Sequence, residues 1–288
     1  MTNRPYYSSI EKISNHGLEQ GIVPRFILQL QENYNFAFLN DNDRDFKFGT
    51  YINVVIKDLI PLYDLLQEIK RTHLEYKTTQ LGGKHISINE NGVLNTDRTL
   101  ERKIKEKVKT FFINGKILIN DWSKCAIFDN DLFCLEKLLF IPDKIFDKNK
   151  LMQLEKDSDR NYEFLFDIIE NARTIFLGEF IKIRNDIEHN DFILPNYYLN
   201  IIDGKILFEE PVLKGRNLIE ALSFYFEYIC ELIEVIMVYY MGINSYINSH
   251  GIINTYERKQ FDYKNEKYKF VVSPRKMDEK EYTLLIGE

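Results

Sequence analysis

Residues 161–191 read NYEFLFDIIENARTIFLGEFIKIRNDIEHND, and this stretch decides the fold. Leu165, Ile168, Ile169, Ala172, Phe176, Phe180, Ile183 and Ile187 recur at three- and four-residue spacing. With Phe164, Ile175 and Leu177 added, apolar positions fill well over a third of the turn. A surface helix carries a narrower stripe, so the pattern predicts a central bundle helix from about Asn161 to Ile187. Its end is polar, Arg184-Asn185-Asp186-Ile187-Glu188-His189-Asn190-Asp191, with Pro195 shortly beyond.

Downstream, Asp203-Gly204 separates YYLNII from KILFEE. Asp-Gly suits the positive φ angles of a two-residue turn, which predicts a β-hairpin over Tyr197–Val212. A long apolar helix is expected from about Asn217 to Tyr246, interrupted by Glu220, Glu227, Glu231 and Glu234. A bilayer span needs roughly 20 consecutive apolar residues, so these glutamates make it a core helix or an oligomer interface. The segment from Lys264 to Gly287 reads as a short two-stranded tail.

Upstream, Val54, Val55, Leu59, Ile60, Leu62, Leu65, Leu66 and Ile69 predict an amphipathic helix over Thr50–Gln80, kinked or divided at Pro61. Gly82-Gly83 ends it, and Lys84–Asn95 reads as an ordered loop or small hairpin around His85-Ile86-Ser87-Ile88. A further helix opens near Thr96 or Asp97, either of which can cap it. Leu100, Ile104, Val108 and Phe111 mark its apolar face, and Arg98, Arg102, Lys103, Lys105, Lys107 and Lys109 make it basic elsewhere. A helical piece over Asn130–Phe140 stops before Pro142. Nearer the start, a short helix is expected around Gln29–Phe38, followed by a loop at Asn40-Asp41-Asn42-Asp43. The fold class is therefore mainly α: a helical bundle (50–255) with a small β-hairpin insertion, an N-terminal extension (1–49) and a short β tail (256–288).

The formal net charge of −6 argues against a general nucleic-acid coat, which needs a basic surface, while leaving room for one local basic site. Cys125, Cys134 and Cys230 are odd in number and widely spaced, which points to reduced core thiols and away from zinc or disulfides. The opening MTNRPYYSSIEK has no apolar run of the signal-peptide kind, so a cytoplasmic protein without membrane association is expected.

Arg184, Asn185 and His189 form RNxxxH, and the segment resembles the signature of the HEPN ribonuclease family. The specific match covers about eight residues. The apolar helix before it and the long helix after a short insertion agree with that family's all-helical bundle. The chemistry fits these residue types. RNA carries its own nucleophile, the 2′-hydroxyl. Histidine can take and return a proton near neutral pH. Arginine keeps its charge and meets two phosphate oxygens with one fork of donors. Asn185 can hold the phosphate or orient His189, one helical turn away.

Arg184 and His189 are five residues apart and diverge by roughly 140° on an ideal helix, so one motif alone makes a poor site. The resemblance implies a homodimer that sets two motifs face to face in a composite site. It further implies metal-independent endonucleolytic cleavage of RNA, a 2′,3′-cyclic phosphate product and no cofactor. A toxin or antiphage defence effector, with an antitoxin or other regulatory protein as partner, is the biological setting it suggests. HEPN toxins paired with nucleotidyltransferase antitoxins often carry a tyrosine two residues after the histidine; Asp191 stands there instead. Arg173, eleven residues before Arg184, and the basic residues Arg102, Lys103, Lys105 and Lys109 are the candidates for guiding RNA.

Two other readings compete. Some HEPN domains are silent and bind RNA or a partner protein without cutting. The motif can also be a plain helix end, since basic side chains there complement the helix dipole. Asp186, Glu188 and His189 match no metal-ligand spacing of the HExxH kind.

Overall fold

The computed structural model describes residues 6–12, 26–27, 30, 48–83, 86–88, 94–125, 135–140, 163–189, 191–202, 205–243 and 270–276. In chain order the elements are β1 (Tyr6–Lys12), α1 (Phe48–Val54), a π-helical turn (Val55–Leu59), α2 (Ile60–Leu81), β2 (Ile86–Ile88), β3 (Leu94–Thr96), α3 (Thr99–Ser123) and α4 (Leu135–Phe140). There follow α5 (Glu163–Ala172), a second π turn (Arg173–Leu177), α6 (Gly178–Glu188), β4 (Tyr198–Ile202), β5 (Lys205–Glu209), β6 (Val212–Leu213), β7 (Arg216–Asn217), α7 (Leu218–Ile243) and β8 (Phe270–Lys276). The described residues are mostly helical, and the strands form four separate antiparallel pairs.

Contacts group the chain into two compact units: residues 1–55, 119–173 and 231–288 make the first, 56–118 and 174–230 the second. In the first, Tyr51 is fully buried and donates its hydroxyl to the Phe26 carbonyl at 2.9 Å. Trp122, Leu165, Ile169 and Ile236 share that core status, each fully withdrawn from water. Strand β8 pairs with β1 along its whole length, Tyr6 opposite Lys276 and Lys12 opposite Phe270. Of the tail expected to hold two strands, the described part is this one strand, and its partner is N-terminal; the rest of 264–287 lies outside the described residues. The helix expected at Gln29–Phe38 and the loop at residues 40–43 lie outside the described residues, apart from the helical, buried Leu30.

The second unit holds the motif. Its centre is an aromatic cluster, with the Phe112 ring 5.1 Å from Phe180, 5.5 Å from Tyr225 and 5.6 Å from Phe111. Gly115 on α3 makes this possible. A β-carbon there would stand 2.6 Å from the Phe180 ring, so only glycine lets the ring lie against the helix. Pro61 sits in the first turn of α2, directly after a π turn. A proline inside a regular α-helix lacks the N–H its turn requires and its ring meets the carbonyl four residues back. Restarting the helix there places Pro61 where no donor is needed.

The expected hairpin is present, with Ile202 opposite Lys205 and Tyr198 opposite Glu209. Leu199 and Phe208 form a cross-strand pair on one face, and the Phe208 ring meets Tyr76 of α2 edge-on at 5.7 Å. Alternation sends Tyr198, Ile202 and Leu207 to the other face, where all three are exposed. The small hairpin β6–β7 was not foreseen; its turn uses Lys214 and Gly215, both at positive φ. Asp97 accepts the Thr99 N–H at 2.8 Å and opens α3, as its position suggested. The long helix keeps its expected span within a few residues. Glu220, Glu227 and Glu231 are exposed, while Glu234 is buried. Among the described residues no helix is long and apolar enough to cross a membrane.

Candidate functional site

Helix α6 delivers the motif. Phe180, Ile183 and Ile187 are buried and fix its inward face, which leaves its last turn at the surface. His189 is the C-cap, with φ −83° and ψ 4°, and its N–H bonds the Asn185 carbonyl at 3.0 Å. The chain then folds back so that the N–H groups of Asp191 and Phe192 both reach the Asp186 carbonyl, at 2.8 and 3.0 Å. The end of the helix is thereby closed by the backbone itself, which otherwise leaves carbonyls unsatisfied. No motif side chain is consumed in capping.

The three motif side chains occupy different surroundings. His189 is exposed, and its ring has no hydrogen-bond partner among the described residues. Arg184 is only 17% exposed. Its guanidinium forms an ion pair with Glu188 one turn on, and its Nη1 donates to Asn185 Oδ1 at 3.1 Å. Asn185 therefore orients the arginine, not the histidine. With its carbonyl oxygen so engaged, its amide NH₂ remains available as a donor.

The residues expected to guide RNA separate into several cases. Lys105 is tied down. It pairs with the buried Glu101 at 2.8 Å and donates to Asn196, in the segment leading away from the motif. Phe112, also on α3, lies 6.3 Å from Phe192 in that same segment. Helix α3 therefore runs beside the exit from the motif, and exposed Lys109 falls between these two contacts along the helix. Arg102 and Lys103 are exposed nearer its start. Lys107 is engaged with Glu68 at 2.7 Å. Arg173 opens the second π turn and is half-buried.

A second polar cluster was invisible in the sequence. His73 of α2 is buried and grips both feet of the β4–β5 hairpin: Nδ1 meets the Tyr197 hydroxyl at 2.9 Å, and Nε2 lies 3.4 Å from Glu210. The arrangement is satisfied when Tyr197 donates to Nδ1 and the Nε2–H faces the carboxylate. Lys77 completes it at 2.8 Å from Glu210. Burial holds the His73 ring below the usual histidine range, against the opposing pull of Glu210. Burial alone would raise Glu210, but Lys77 and His73 together outweigh it and hold the carboxyl below its ordinary value. Tyr197 is pushed well above the usual range, chiefly by burial, and neighbouring Tyr76 up to about 12 by burial and then by Glu101.

This cluster sets a pH dependence of stability. In unfolded chains histidine takes a proton near 6.5, before buried His73 does, so acidification favours unfolding from that point downward. Glu210 acts in the same direction at lower pH, its stabilising contribution being present above 4.5 and lost as pH falls through its folded value. The melting temperature is expected to start falling as pH drops below about 6.5. His73→Gln should remove that first phase and leave the later one. Thermal melts of both proteins from pH 8 to 3 check this; parallel curves would show that His73 does not titrate with folding.

Among the described residues no group of His, Cys, Asp and Glu is placed to hold a metal ion. No family model, curated protein or solved structure matches the chain.

Proposed function

We propose that the chain is a metal-independent endoribonuclease of the HEPN type, acting as a homodimer in a toxin or antiphage role. The observation that supports this best is the end of α6. There Arg184, Asn185 and an exposed His189, its ring unbonded among the described residues, close a helix end whose capping needs none of their side chains. An exposed histidine with no protein partner is open to a substrate proton.

In this reading one His189 takes the proton of the RNA 2′-hydroxyl as that oxygen attacks the adjacent phosphorus. The P–O5′ bond breaks, and the leaving 5′-oxygen is protonated by His189 of the partner subunit. The products are a 2′,3′-cyclic phosphate and a 5′-hydroxyl end. Arg184 faces the charge that develops on the phosphorane, and the Asn185 amide donates to the same oxygens. Lys109, Arg102 and Lys103 carry the approaching strand along α3.

Incubation of the purified protein with end-labelled RNA in EDTA tests the reading. Cleavage to cyclic-phosphate ends is expected, and a substrate with 2′-deoxy sugars throughout should stay intact. Absence of cleavage, or cleavage of the deoxy strand, would sink it. Specific activity should also fall on dilution, because the site needs two copies. One observation favours a second reading, a HEPN module that binds RNA or a partner protein without cutting: the Arg184 guanidinium is already matched by Glu188. That reading expects RNA binding with no product.

A further inference from the structure

The Arg184–Glu188 pair has a chemical meaning that rests on the ribonuclease reading and extends it. A carboxylate and a phosphodiester present the same feature to a guanidinium, two oxygens that share one negative charge. Glu188 is four residues after Arg184 and 44% exposed, whereas Arg184 is 17% exposed. The carboxylate is therefore the more exposed partner, and it occupies a guanidinium nitrogen that an incoming phosphate would need. Asn185 Oδ1 accepts from the same guanidinium nitrogen, Nη1, that pairs with Glu188. Among the described residues the buried Nε of Arg184 has no hydrogen-bond partner, so these residues do not lock the side chain in place with a full set of bonds.

We infer that Glu188 is an internal phosphate mimic: it occupies the anion site of Arg184 in the free protein, and RNA must displace it to bind. The pair is suited to displacement. Helical ion pairs are worth little at the surface, and the order here is the weaker one, with the basic residue N-terminal to the acidic one. A strand carrying several phosphates, some of them met by Lys109 and Arg102, can outcompete a single side chain. A free anion of low charge cannot do so as readily. Glu188 thus discriminates in favour of extended RNA and keeps the arginine covered otherwise.

Glu188→Gln keeps the shape of the side chain and removes the charge. The probe is a short single-stranded 2′-O-methyl RNA, which binds but offers no nucleophile. Glu188→Gln should bind it about three- to tenfold more tightly at low salt, since one competing charge and its repulsion of the strand are both gone. The plot of log affinity against log salt should steepen by about 0.7, the value of one added phosphate contact to a single strand. A merely structural Glu188 would not change that slope. Both effects should vanish in the double variant Arg184→Ala/Glu188→Gln, while melting temperatures report that each variant folds.

Cleavage assays run in parallel separate this inference from the reading beneath it. Tighter Arg184-dependent binding without any wild-type cleavage would support the displaced carboxylate and sink the ribonuclease. Wild-type cleavage with unchanged affinity and slope in Glu188→Gln would overturn the mimic and leave the ribonuclease standing. Absence of RNA binding by both proteins would overturn both.

Discussion

Changing His189 to alanine is expected to lower RNA cleavage by about 10²- to 10⁴-fold, the contribution of a positioned proton-transfer group. The effect should appear in single-turnover rates at saturating RNA, because His189 is proposed to move protons and not to hold the strand. Affinity for uncleavable RNA should change less than twofold, on the order of the loss of one weak surface contact. His189 is exposed and its ring bonds nothing among the described residues, so the melting temperature should hold. Arg184→Ala is expected to cost about 10²- to 10³-fold, comparable to removing one donor to a developing oxyanion. It should also weaken binding, which separates it from His189→Ala. Arg184→Lys keeps the charge but loses the planar fork and should recover only part of the rate. If His189→Ala retains wild-type activity within tenfold, the motif is a helix end and the chemistry lies elsewhere.

The local features of this fold were legible because the information for each is contiguous. The period of Leu165, Ile169, Phe176, Phe180 and Ile187 states a helix, and Asp203-Gly204 between two alternating runs states a hairpin. RNxxxH is legible for the same reason. What stayed hidden depends on partners far away in sequence or on geometry that the pattern tolerates. The π turn at Arg173–Leu177 leaves the apolar spacing intact to the eye, because a residue more per turn only rotates the stripe. His73 and Tyr197 are 124 residues apart, and nothing in the neighbourhood of either announces the other. The β1–β8 pairing joins opposite ends of the chain. Glu188 is a different case. Its i,i+4 spacing from Arg184 was plain, yet it lies inside the motif, where the positions between Asn185 and His189 read as free to vary.

Changing Phe180 to alanine is expected to cost about 3–5 kcal/mol, the range for emptying a buried aromatic site. Phe180 is wholly buried between Phe112 and Tyr225, with ring centroids 5.1 and 5.7 Å away. It precedes Arg184 by one turn on the same helix, so its loss should loosen the motif as well as the core. Cleavage should fall with stability even though Phe180 touches no substrate. Gly115 gives the contact its own test. A methyl group there meets the Phe180 ring at 2.6 Å, and Gly115→Ala should destabilise by about 1–3 kcal/mol through overpacking. In the double variant that methyl group no longer has a ring to strike and instead fills part of the cavity. Urea denaturation should therefore find Gly115→Ala nearly neutral or stabilising in the Phe180→Ala background, a coupling of about 1–3 kcal/mol between the two sites. Strictly additive losses would mean that α3 and α6 do not meet at this point, and that the helix end bearing Arg184 and His189 is held by something other than the aromatic cluster.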